Sequence, residues 1–142
     1  MSVKKIVVDT DIFLEHVLHA GLGTGSSLLR RLMREFFCYT TVFNAIELFS
    51  LCKTDAESRA VEDSLQAVKI LGLNAKSAKR VGVLFSPARA KRTRDLDILI
   101  AGLCHESRLP LVTNSPGRYR GMKLLQILPA RRLLKQKKSG DV

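Results

Sequence analysis

The stretch Lys5-Ile6-Val7-Val8-Asp9-Thr10-Asp11 decides how the rest of the chain is read. Three apolar, β-branched residues, opened by lysines and closed by acids, describe a buried strand whose carboxyl end delivers Asp9 to the rim of a sheet. In open α/β sheets, chemistry collects at that rim. A carboxylate held there with no intervening loop is costly unless it meets a cation, so Asp9 is a candidate metal ligand. The alternative is that Asp9 or Asp11 caps the helix beginning near Ile12, a task Asp does well.

Outward from this strand, strand-like runs alternate with helix-like faces, the pattern of βα units and a parallel sheet. Strands are expected at 36–41, 68–73, 109–113 and 123–128, the last stopped by Pro129. Helices are expected at 12–19, 26–34 with a Ser26 or Ser27 cap, 42–52, 54–66, 74–85 and 98–104. Pro87 and its Ala/Arg/Lys/Thr surroundings read as an exposed basic loop. Gly21-Leu22-Gly23-Thr24-Gly25 follows a helix and lacks a Gly-Lys-Ser/Thr ending, so it reads as a helix–helix loop and not as a phosphate cradle.

The 142 residues are about one domain's worth, divided here into a domain over 1–130 and a basic, solvated tail over 131–142. With 24 Lys and Arg against 13 Asp and Glu, a formal charge of +11 favours a polyanion as the long-range partner. Cys38, Cys52 and Cys104 are scattered singly beside apolar neighbours, which leaves neither a disulfide frame nor a CxxC metal pair. The opening Met-Ser-Val-Lys-Lys enters a strand too short for a signal peptide or a membrane span, so a reducing cytoplasm is the expected location.

Two further acids fall in apolar surroundings. Glu47 sits among Ile46, Leu48 and Phe49, where a carboxylate must be neutralised, paired or metal-bound; reaching back toward Asn44 in a variant capping box is the alternative. Asp95 and Asp97 share the first turn of a strongly apolar helix, whose dipole favours anions there, with Asp95 the expected N-cap. That explains one aspartate better than two, and the amino end of an interior helix would point Asp97 toward Asp9. Thr113-Asn114-Ser115-Pro116-Gly117 forms a polar turn at the same rim. Beyond it, Arg118 and Arg120 flank Tyr119, a mixture that suits a phosphate backbone and a stacked base. Glu15-His16-x-x-His19 lacks the order and the third ligand of a zinc protease.

The strand ending Asp9-Thr10-Asp11, Asn44-Ala45-Ile46-Glu47-Leu48, Asp97-Ile98-Leu99-Ile100-Ala101 and Leu111-Val112-Thr113-Asn114 come in an order and spacing that resembles the PIN domain, in particular the VapC-like toxins. The resemblance covers about residues 5–129. It implies a three-layer α/β/α sandwich with a central, mostly parallel five-stranded sheet, and an Mg²⁺- or Mn²⁺-dependent ribonuclease site. By position, Asp9, Glu47 and Asp97 match the family's leading acids as catalytic residues and metal ligands. The family often has a further acid or an Asn where this chain has Ser115, preceded by Asn114. That departure leaves a second metal position without its carboxylate, and Asp11 or Asp95 to compensate. Thr10, Thr113, Asn114 and Ser115 would then be polar support, with Arg94, Arg118 and Arg120 as phosphate contacts. The resemblance also implies RNA as substrate, a small antitoxin as partner, and a homodimer.

Two rival readings use the same residues. An apolar strand ending in Asp-x-Asp also opens phosphohydrolases of the haloacid-dehalogenase type, which need a later lysine and an acidic pair closing another strand. Thr113-Asn114-Ser115 supplies no such pair. The other rival is a non-catalytic RNA-binding protein with an incomplete acidic site, in which the positive charge alone holds the nucleic acid.

Overall fold

The computed structural model describes residues 4–19, 25–90, 94–122 and 126–140 and, within them, all side chains except those at 19, 84–90 and 136–140. Strand β1 (Lys5–Val8) lies between β2 (Phe37–Thr41) and β4 (Leu111–Thr113), with β3 (Lys69–Leu71) beyond β2 and β5 (Ile127–Pro129) beyond β4. Every pairing is parallel, so the carboxyl ends of all five strands lie along one edge. Lys5 stands opposite Phe37 and Val7 opposite Leu111, which makes β1 the strand with a neighbour on each side at the centre of the sheet.

A central strand in such a sheet is covered on both faces and needs no polar alternation. Ile6, Val7 and Val8 have no solvent exposure, and burying each stabilises by roughly 1.5–3 kcal/mol. Ile6 and Val8 face one core, built with α1 (Thr10–His19), α2 (Leu28–Glu35), α4 (Asp55–Gln66) and α7 (Ala130–Gly140). Ala45 and Leu48 of α3 (Val42–Ser50) join the same core. Val7 faces the other core with Ile100, Ala101 and Cys104 of α6 (Asp95–Ser107), Leu111, and Tyr119 from a 3₁₀ turn over Pro116–Tyr119. Helix α5 (Ala75–Ala90) packs on α6. The result is the expected three-layer α/β/α sandwich around a five-stranded sheet, parallel throughout its described pairings.

Several local expectations are corrected. Helix α5 runs through Pro87 to Ala90 where a loop was expected, without the backbone hydrogen bond that proline cannot donate. Pro129 is the last residue of β5 and not its stop, which an edge strand tolerates. The stretch from Arg131, expected as a solvated tail, is helical to Gly140, and Leu133 and Leu134 are buried in the first core. Its basic residues share a helix with an apolar stripe that sheet and α2 cover. Of the glycine-rich loop, residues 21–24 lie outside the described residues. Glu15 and His16 tie α1 to the start of α2: Glu15 Oε2 accepts from the Leu28 N–H at 3.0 Å, and His16 Nδ1 lies 2.6 Å from the Oγ of Ser27, the α2 N-cap.

The α5–α6 contact depends on Gly102. A Cβ at this position would come within 2.8 Å of Val81 Cγ1, and Val81 is itself buried. Gly82, on the exposed side of α5, has open space around it. Gly102→Ala is therefore expected to lower the melting temperature despite the better helix propensity of alanine, at a cost of about 1–3 kcal/mol for overpacking. Gly82→Ala should raise it, through a stabilisation of about 0.5–1 kcal/mol. Thermal denaturation of both variants checks the pair, and equal shifts of the same sign would contradict this packing.

Candidate functional site

Asp9 follows β1 directly and precedes the first residue of α1, so the strand fixes its position and the helix start offers it backbone donors. Its carboxylate has no solvent exposure and accepts four hydrogen bonds. Oδ1 accepts from the Thr10 N–H at 2.9 Å and from Asn44 Nδ2 at 3.0 Å. Oδ2 accepts from Thr113 Oγ1 and from the Tyr119 hydroxyl, both at 2.9 Å. The Asp9 side chain thus bonds the first backbone N–H of α1, that of Thr10.

Each donor is held in turn. Thr41 caps α3 and forms a capping box with Asn44, whose Oδ1 accepts from Thr41 and whose Nδ2 also donates to Thr10 Oγ1 at 2.9 Å. The alternative Asn44–Glu47 capping box is therefore not formed, because α3 begins at Val42 and Thr41 takes the cap role with Asn44. Asn44, three residues into α3, becomes the link between β1 and β2. Thr40, next to it, donates to the Val8 carbonyl at 2.8 Å.

Asp11 lies in the first turn of α1 and closes the polar turn after β4. Its Oδ2 accepts from Thr113 Oγ1 at 3.1 Å, the Asn114 N–H at 3.0 Å and Ser115 Oγ at 2.9 Å. Thr113 has one hydroxyl proton for two carboxylates, so it serves Asp9 or Asp11 at any instant. Asp11 Oδ1 is buried and has no hydrogen-bond partner among the described residues.

Glu47 and Asp97 are joined by arginines. Arg94 forks onto Asp97, Nε to Oδ2 at 3.0 Å and Nη2 to Oδ1 at 2.9 Å, and the same Nη2 reaches Glu47 Oε2 at 3.2 Å. Arg118 Nη2 donates to Asp97 Oδ1 at 2.6 Å and stands 3.9 Å from Glu47 Oε2. The Arg118 guanidinium lies 5.9 Å from the centre of the Tyr119 ring, which connects this pair of acids to Asp9. Glu47 Oε1, like Asp11 Oδ1, is buried and has no partner among the described residues.

The predicted residues therefore separate into two groups. Asp9, Asp11, Thr10, Thr113, Ser115 and the backbone of Asn114 share one hydrogen-bond network, and Glu47 and Asp97 share the arginine network beside it. Arg94 and Arg118, expected as phosphate contacts, face the acids, because a buried carboxylate draws the nearest guanidinium. Arg120 is exposed. Asp95, expected as the N-cap of α6, is exposed in its first turn; Arg94 takes the N-cap position. Tyr119, expected at the surface for base stacking, is 1% exposed and spends its hydroxyl on Asp9. Asn44 and Tyr119 are the site residues that pattern reading missed as such. A Thr-x-x-Asn step at the start of α3 signals Asn44 as a cap, and nothing local signals Tyr119.

The donor set suits a hard divalent cation in its chemistry. It is all carboxylate and hydroxyl oxygen, and two buried acid oxygens lack partners. Among the described residues no three His, Cys, Asp or Glu side chains already stand together as a ligand group, since guanidiniums lie between Glu47 and Asp97.

Comparison with known proteins follows this geometry. A model of the PIN domain matches residues 6–116. Curated protein sequences give no match. Among solved structures, VapBC from Salmonella typhimurium bound to DNA is similar at a TM-score of 0.73 and 18% identity, over 91% of this chain and 99% of that one. VapBC2 from Rickettsia felis, bound to a DNA fragment from its promoter, gives 0.69 and 18%, over 87% and 97%. VapBC-5 from Mycobacterium tuberculosis, a member of the VapBC toxin–antitoxin systems, gives 0.56 and 19%, over 87% and 97%. At these identities the likeness is one of fold.

Burial, and then the neighbouring Asp11 charge, raise the Asp9 pKa above the usual carboxyl value, against the lowering pull of Thr10, Thr113 and Tyr119. A raised folded value means that the native state holds the proton over a pH range in which the unfolded chain has lost it. Stability from this group is then highest at low pH and declines as pH rises through the folded value. In Asp9→Asn the remaining oxygen accepts from Thr10 and Asn44, while the amide donates to Thr113 and Tyr119, hydroxyls free to turn. The variant is expected to be at least as stable as the wild type near neutral pH. The gap should close below the ordinary carboxyl range, and thermal melts across pH measure it.

Proposed function

The chain belongs to the PIN domain family, whose members are generally nucleases, and on that premise we propose that it is a divalent-metal-dependent endoribonuclease and the toxin of a toxin–antitoxin pair. The observation that supports the reading is that two pairs of acids, Asp9 with Asp11 and Glu47 with Asp97, lie in adjoining networks at the carboxyl edge of the sheet, with a buried oxygen on two of them that has no partner among the described residues. Structural neighbours that are toxin–antitoxin complexes support the partner, a small antitoxin, and the +11 charge supports RNA as the substrate.

Asp9, Glu47 and Asp97 would hold Mg²⁺ or Mn²⁺, with Asp11 in place of the acid that Ser115 does not supply. A cation so held supplies charge stabilisation at phosphorus and activation of water for in-line attack, giving a 5′-phosphate and a 3′-hydroxyl. Thr10, Asn44, Thr113 and Tyr119 fix the orientation of Asp9, and Ser115 and the Asn114 N–H fix that of Asp11. A carboxylate whose lone pairs are directed in this way can orient or deprotonate water without first reorganising. Arg94, Arg118 and Arg120 would meet the phosphate backbone.

No described helix is long and apolar enough to cross a membrane, and a toxin acting on cellular RNA would work in the cytoplasm. Ile46, Phe49 and Leu51 are exposed on and just after α3, apolar surface of the kind that a homodimer or an antitoxin would cover. A second reading, a non-catalytic RNA-binding protein, is favoured by one observation: the guanidiniums already neutralise Glu47 and Asp97.

Asp9→Asn should retain the fold, checked by circular dichroism, and lose Mn²⁺-dependent cleavage of RNA by about a hundredfold or more. Chelation of divalent ions should abolish cleavage by the wild type. Undiminished cutting by Asp9→Asn would remove this site, and metal-independent RNA binding without any cutting would favour the non-catalytic protein.

A further inference from the structure

Arg94, Arg118, Glu47 and Asp97 form a closed electrostatic quartet, two guanidiniums against two carboxylates. Asp97 carries most of it, receiving three hydrogen bonds from the two arginines while its side chain is only 3% exposed. Backbone fixes this acid: it is held in the first turn of α6, between Arg94 at the N-cap and the buried Ile98. The arginines are less confined. The Arg94 side chain is 57% exposed and that of Arg118 is 28% exposed, so each has a route to water that the acid lacks.

The charge arithmetic is simple. Two guanidiniums neutralise Glu47 and Asp97 to the same extent as one divalent cation would. Asp97 Oδ1 already accepts from both guanidiniums and Oδ2 from Arg94 Nε, so a cation takes this carboxylate only where a guanidinium gives it up. The two arrangements therefore exclude each other. The unpartnered Glu47 Oε1 shows that the arginines occupy one side of that carboxylate and leave the other unused.

Resting on the metal-dependent reading above, we propose that Arg94 and Arg118 are resident counter-ions of Glu47 and Asp97 that compete with a divalent cation for these carboxylates. Loading the cation turns both guanidiniums outward, where they face an incoming phosphate. In the cation-free protein they keep the buried acids paired and so preserve the fold. Each arginine thus has two partners, a carboxylate before the cation arrives and a phosphate afterwards.

Calorimetric titration of the full chain with Mn²⁺ alone tests this, comparing the wild type with Arg94→Gln and Arg118→Gln. Each variant is expected to bind Mn²⁺ about tenfold more tightly, since one competing charge is gone. A measurement on the wild type guards against a variant that does not fold. During titration with Mg²⁺, the assigned Arg94 Nε–H signal in the NMR spectrum should shift and exchange faster with water as its bond to Asp97 opens. If the wild type binds the ion but the variants bind no more tightly, or the Arg94 signal stays unmoved at saturation, the competition is overturned and the metal-dependent reading stands. If neither wild type nor variants bind Mn²⁺, the metal-dependent reading falls, and the competition with it.

Discussion

Asp9 sits without solvent exposure at the end of the central strand, and an ion in that position persists only where protein donors replace its lost water. Four donors do so, drawn from the start of α1, from α3, from the end of β4 and from the 3₁₀ turn after it. Elements distant in the chain are thereby tied to one carboxylate. The same requirement governs Asp97, which is met by guanidiniums in place of hydroxyls and amides. The layout of the edge follows from how each buried acid is satisfied.

Topology makes that convergence possible. With β1 between β2 and β4 and every pairing parallel, the residues that leave these three strands emerge side by side. Asp9 leaves β1, Thr41 hands β2 to α3 and so places Asn44 and Glu47, and Thr113 ends β4. Helix α6, packed on the opposite core, brings Asp97 to the same edge with its first turn. Residues separated by about a hundred positions meet there because a parallel sheet returns each strand in the same direction.

The parallel sheet was legible because its signals are local. Lys5–Val8 could hardly be anything but a covered strand, and alternation of short apolar runs with amphipathic segments pointed to βα units and a parallel sheet, while the three layers came from the resemblance to the PIN domain. The positions of the acids were legible for a related reason: Glu47 and Asp97 stand out as charges in apolar company. What could not be read were their partners. Whether Arg118 meets phosphate or Asp97 depends on an approach between α6 and the turn after β4 that no periodicity encodes. Tyr119 looked like a surface ring because its neighbours are basic, and only the sheet's depth reveals that it is covered. Pro87 and the basic stretch after Arg131 misled in the opposite way. Local rules marked a break and a loose end, yet α5 continues past Pro87, and the stretch after Arg131 is a helix held by the buried Leu133 and Leu134.

The proposed divalent cation at this edge of the sheet would sit among carboxylates that arginines otherwise neutralise. Anomalous diffraction from crystals of the full chain soaked in Mn²⁺ addresses it most directly. A manganese peak bounded by Asp9, Glu47 and Asp97, with the Arg94 and Arg118 side chains turned away from Asp97, is the predicted result. Crystals saturated with Mn²⁺ that show no peak at these acids, and both guanidiniums still seated on Asp97, would contradict it.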